Sequence, residues 1–223
     1  MKAAPSVKIC CIASVDEARL AIESGAAALG LVSAMPSGPG VIADTTIAQI
    51  AAAVAPPIET FLLTSRTMAD GIAAQHAQAR TTTLQLVDHV PHAELRHLHA
   101  LCPGVRLVQV IHVGGEACID EALAAAPWVD ALLLDSGNPR LAVRELGGTG
   151  RRHDWRLSRR IRDAVAPLPL YLAGGLHADN VAEAMRTVLP FGLDLCNGVR
   201  TEGRLDAVKL RSFFAAVRAC ARS

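Results

Sequence analysis

Eight short apolar runs, each followed by a longer amphipathic segment, constrain this chain more than anything else in it. The runs are Val7–Ile12, Ala28–Val32, Ile58–Leu63, Thr83–Val87, Arg106–His112, Ala131–Asp135, Pro169–Ala173 and Gly192–Leu195. The longer segments, Val15–Ser24, Thr45–Val54, Ala69–Gln78, His92–Leu101, Glu116–Ala125, Trp155–Ala164, Asp179–Thr187 and Ala207–Cys220, read as helices. A repeat of roughly 25–30 residues is the spacing of strand–helix–strand units. Runs such as ALLLD and LYLAG are apolar on both faces, as parallel strands beneath a helix layer are. Eight such units predict a (β/α)8 barrel. The competing open doubly wound sheet often carries GxGxxG after its first strand, and none follows Val7–Ile12. At 223 residues, with no linker-like stretch, residues 1–223 are expected to form one barrel domain.

Composition removes several function classes. The net charge is +1 and aromatics make up 3%, which argues against nucleic-acid binding and against an anionic membrane surface. No run approaches the ~18 apolar residues of a membrane span, and the N-terminus lacks a secretory apolar core. The expected location is the cytoplasm. Six cysteines, at 10, 11, 102, 118, 196 and 220, form no CxxC pair and no zinc spacing, so free thiols in a reducing compartment are expected. His89, His92, His97 and His99 contain no i, i+4 pair, and the arginine-rich run 150–163 has one aromatic residue. Both read as solvated helix faces, and no metal site is expected.

A barrel of this kind builds its site at the C-terminal ends of its strands. Asp135 closes the run DALLLD, where an unpaired carboxylate is costly to bury, and this makes it a candidate general acid or base. Cys10 and Cys11 close the first run. Alternation along a strand sends them opposite ways, so Cys10 is expected to face the mouth with Lys8, and Cys11 the helix layer or a loop. A nearby Lys8 would favour the Cys10 thiolate. LAGGLHADNV (172–181) and DLCNGV (194–199) are successive strand–glycine turns. Gly174, Gly175, Asn197 and Gly198 are therefore candidates for cradling a phosphate, the ligand such barrels often hold after strands seven and eight. Gly148, in the GGTG of 147–150, is a further candidate for backbone contact with it.

The order KIC, DALLLDS, GGTGRRHDW, LAGGLHADNV and DLCNGVR resembles the phosphoribosylanthranilate isomerase family of tryptophan biosynthesis. The likeness is dense from Val129 onward and sparse between Ser33 and Val113. It implies a cofactor-free and metal-free barrel, monomeric or homodimeric, with a phosphorylated small-molecule substrate. It implies an aldose-to-ketose (Amadori) rearrangement with Asp135 as general acid and Cys10 as general base. Lys8, Gln85 and Arg200 are expected at the substrate, with the glycine turns at its phosphate.

Four positions depart from the family pattern. Cys11 stands where the family has glycine after KIC. The loop after strand two reads Ser37-Gly38-Pro39-Gly40, where the family carries an arginine for the anthranilate carboxylate. Asp88 follows Gln85-Leu86-Val87 where the family reads Gln-Leu-His-Gly, and is expected at the rim, repelling an anion. Arg200 replaces a glutamate, and it or Arg140 is the expected substitute anchor. These departures leave open a related barrel isomerase for another phosphosugar, or a non-catalytic phosphosugar-binding barrel.

Overall fold

The computed structural model describes residues 4–137, 146 and 150–222. Eight parallel strands close into a barrel in chain order: β1 Ser6–Ile9, β2 Ala28–Val32, β3 Glu59–Thr64, β4 Thr83–Leu86, β5 Arg106–His112, β6 Ala131–Asp135, β7 Leu170–Leu172 and β8 Gly192–Leu195. Around them run α1 Val15–Ser24, α2 Asp44–Ala53, α3 Ala69–Ala79, α4 His92–Leu101, α5 Ala117–Ala125, α6 Trp155–Ala164, α7 Val181–Val188 and α8 Ala207–Arg222. The barrel closes where β1 pairs with β8, Lys8 registering with Asp194 and Ile9 with Leu195.

The fully apolar strands separate two cores. Outward residues such as Ile9, Leu29, Leu62 and Leu132 pack under the helices. Inward residues such as Phe61, Val108, Leu133 and Tyr171 fill the barrel itself. Local chemistry fixes the helix ends. The Ser14 hydroxyl accepts from the Glu17 N–H at 3.1 Å, and Glu17 in turn accepts from the Ala13 N–H at 3.0 Å, while Gly25 ends α1 at φ 115°. Asp154 caps α6 through the Arg156 and Leu157 N–H groups.

Several boundaries shift by a few residues from the sequence reading, and two of the shifts have a clear local cause. The first strand stops at Ile9, because Cys11 adopts φ 63° and leaves the ladder. Helix α7 starts at Val181 rather than Asp179. The Asn180 side chain instead organises a turn, accepting from the His177 N–H and donating to the Gly175 carbonyl.

Candidate active site

A cavity opens at the C-terminal ends of the strands, where a barrel of this kind holds its ligand. Its floor and walls bring together Cys10, Gln85, Asp135, Gly174, Gly175, Asn197 and Gly198 from five strand ends. Gly148, Arg140 and their neighbours lie outside the described residues.

Cys10 is buried, and its N–H donates to the Leu195 carbonyl at 2.7 Å, which fixes it at the β1–β8 seam. Lys8 stands two residues earlier on the same face. A Cβ added to Gly30 would lie 2.8 Å from Cys10 Sγ and 2.9 Å from Lys8 Nζ, so that glycine makes room for both groups side by side. Lys8 is wholly buried beneath the mouth, and its Nζ donates to Asp194 Oδ1 at 2.9 Å. Burial alone would make this ammonium easier to deprotonate, but Asp194, with contributions from Cys10 and Cys11, more than offsets that and holds it above the ordinary lysine range. Lys8 is therefore a fixed cation below the thiol.

Asp135 is partly exposed at the end of β6. Its Oδ1 accepts from the Ser136 N–H at 2.7 Å. Burial raises its pKa, and the nearby Asp194 charge adds to the rise. The Ser136 N–H and His112 oppose it without cancelling it. A carboxyl kept protonated further up the pH scale is suited to donating a proton. Gln85 is buried at the end of β4, and its Oε1 has no hydrogen-bond partner among the described residues. An orphaned acceptor facing a cavity is a ready contact for a ligand hydroxyl or N–H.

On the β7–β8 side, Gly174 and Gly175 adopt φ 82° and 64°. A Cβ on Gly175 would come within 2.9 Å of the Gly150 carbonyl oxygen, and one on Gly198 would collide with the Leu176 carbonyl. Only glycine allows the turns after β7 and β8 to pack this closely. Among the described residues, neither the Gly174 nor the Gly175 N–H donates to a protein acceptor. Free N–H groups around a concave turn form an anion cradle.

Three expectations need correction. Arg200 does not reach the cavity. Its Nη2 donates to the Cys10 and Cys11 carbonyls at 3.2 and 2.6 Å, and its guanidinium pairs with Glu17 at 3.0 Å. A buried guanidinium with those partners is a clamp on the end of β1. Asp88 does not stand in the mouth either: it is buried, with Oδ1 accepting from the His89 N–H at 2.9 Å, so its expected repulsion of an anion is absent. Cys11 packs against the loop after β2, as allowed for, but its positive φ also turns it into the cavity wall beside Cys10. Strand alternation failed there because the strand had already ended.

Sequence reasoning missed Asp194. Its signal was a carboxylate inside an otherwise apolar run, level with the one inward lysine on the first strand.

Residues 7–216 match the family model of N-(5'-phosphoribosyl)anthranilate (PRA) isomerase. The chain belongs to this isomerase family. It is 35% identical to the N-(5'-phosphoribosyl)anthranilate isomerase of Methanocella arvoryzae over 214 residues, covering 95% of this chain and 97% of the relative. It is 32% identical to isomerase 1 of Methanosarcina mazei over 230 residues, covering 97% and 96%. The crystal structure of phosphoribosyl anthranilate isomerase from Thermus thermophilus superposes with a TM-score of 0.80 at 26% identity, covering 96% of this chain and 98% of that one. Among the described residues, no helix is long and apolar enough to cross a membrane, and no group of three or more His, Cys, Asp or Glu side chains is placed to hold a metal ion.

Proposed function

We infer that this chain is a phosphoribosylanthranilate isomerase working by acid–base catalysis. The observation that carries the reading is the meeting of Cys10, from β1, and Asp135, from β6, at one cavity that also contains the glycine turns after β7 and β8. The phosphate rests on the Gly174-Gly175 and Asn197-Gly198 turns, which anchors one end of the substrate. The Asp135 carboxyl gives its proton to the ribose ring oxygen as the C1′–O bond breaks. The nitrogen lone pair moves in to make an iminium at C1′. The Cys10 thiolate removes the proton from C2′, and that electron pair flows into the iminium to give an enolamine. The enolamine then becomes the aminoketone as C1′ gains a proton and the 2′-hydroxyl loses one. The iminium is the electron sink, and Lys8 stands as a fixed cation beside Cys10.

The aryl end is less complete. Among the described residues lining the cavity there is no arginine or lysine, and Met35, Ser37, Gly38 and Pro39 occupy the side where the family pattern leads one to expect an arginine. This favours a second reading, an isomerase for an N-substituted 5-phosphoribosylamine without the carboxylate. Freshly made phosphoribosylanthranilate, followed by its fluorescence, tests both. Turnover on the order of 1 s⁻¹ or faster that disappears in Asp135→Asn is the expected result. Turnover of a neutral phosphoribosyl arylamine alone would select the second reading.

A further inference from the structure

Two thiols at the mouth have no part in the isomerisation. Cys11 follows the base, and Cys196 follows β8 directly before Asn197. Their sulfurs lie 2.7 Å apart, well inside van der Waals contact and about 0.7 Å longer than a bonded disulfide. The backbones carrying them are already locked together. Ile9 registers with Leu195, and the Cys10 N–H holds the Leu195 carbonyl. Arg200 grips the Cys11 carbonyl at 2.6 Å, and Gly40 packs so closely on Cys11 that a Cβ there would overlap it. The two sulfurs thus meet on backbone segments that are already fixed beside each other. Cys11 is buried, whereas Cys196 is partly exposed and gives a reagent access.

We propose that Cys11 and Cys196 are an oxidisable dithiol whose closure to a disulfide reshapes the cavity wall between the base and the Asn197-Gly198 turn. The oxidant is a low-molecular-weight disulfide of the glutathione class. The Cys196 thiolate attacks one of its sulfurs. The reagent's S–S bond breaks, and one thiol leaves carrying the proton that Cys196 gave up. Cys11 then loses its proton and attacks the Cys196 sulfur, expelling the second thiol with that proton. The protein gives up two electrons and two protons, and the reagent takes both. The site's chemistry supports this order. The hydrogen bond to Cys11 holds the Cys196 thiol below its usual range despite burial, and the Arg200 charge assists. Hydrogen bonds with Cys10 and Cys196 push the Cys11 thiol above its usual range. Closure acts on catalysis from two sides: Cys196 adjoins the Asn197-Gly198 turn, and Cys11 adjoins the base.

The test equilibrates the purified protein with defined ratios of oxidised to reduced glutathione, then traps thiols in acid for mass analysis. Two of the six cysteines are expected to become unreactive, with a mass loss of about 2 Da. Fragmentation is expected to assign the bond to Cys11 and Cys196 rather than to Cys10. Turnover falls by about tenfold or more and returns with dithiothreitol. Cys196→Ser, which leaves the Cys11 backbone untouched, keeps most of its own reduced-state turnover under the same oxidation. Six reactive thiols, a stable glutathione adduct, a bond through Cys10, or a Cys11–Cys196 bond without loss of turnover would each overturn the proposal.

Discussion

The two sides of the barrel mouth match the expected family pattern to different degrees. On the side built by β1, β6, β7 and β8, the described residues proposed for proton transfer and phosphate binding line one cavity. On the side built by the loop after β2, the arginine expected from the family pattern is absent, and Gly40 of Gly38-Pro39-Gly40 packs on Cys11. The first side is constrained by chemistry that tolerates little change. The second only has to hold a substituent, and a different set of contacts can do so.

Substitutions on the two sides sharpen the contrast. The largest effect is expected from Asp135→Asn, which keeps the shape and removes the proton: kcat falls on the order of 10³-fold, and circular dichroism shows the fold retained. The wild-type rate should also fall as pH rises through the elevated pKa of Asp135, since the acid form is the working one. In that same window the folded state binds more protons at Asp135 than the unfolded state does. Stability therefore declines as pH rises there, a dependence that Asp135→Asn abolishes in denaturant titrations.

Arg200→Met comes next. It strands Glu17 and the Cys10 and Cys11 carbonyls, and is expected to cost about 3 kcal/mol in urea unfolding. A loss below about 0.5 kcal/mol would show that the clamp is dispensable. On the other side, Ser37→Arg restores a cation where the carboxylate should lie. KM for phosphoribosylanthranilate is expected to fall about tenfold with kcat little changed. An unchanged KM would place the aryl group elsewhere in the cavity. The smallest effect is expected from Cys11→Gly. Relief of the positive φ adds about 1 kcal/mol of stability, partly offset by lost packing, and thermal unfolding would show a modest rise.

The sequence showed these two sides unequally. Strands such as Ala131–Asp135 and Gly192–Leu195 were legible to the residue, because strands covered on both faces are continuous apolar runs. Cys10, Asp135 and the glycine turns were legible for a related reason: each sits at the end of such a run. Arg200 was misread because a side chain's direction past a strand end can depend on partners far along the chain, and Asp88 because its carboxylate turns back onto the next residue's N–H. Glu17, 183 residues from Arg200, is one such partner. Cys11 was half legible, since alternation predicts a facing only while the strand continues.

The Lys8–Asp194 pair joins residues 186 positions apart, on the first and last strands of the barrel. At ordinary synthesis rates, a nascent chain carries Lys8 for on the order of 10 s before its counter-charge exists. Until then, sealing the interior would bury a bare ammonium, so the lysine must remain hydrated and the barrel must remain open. The ion pair thus ties the time at which the core can become dry to the time at which the last strand emerges. Cys10, made early, meets the glycine turns only once the last strands have closed the barrel.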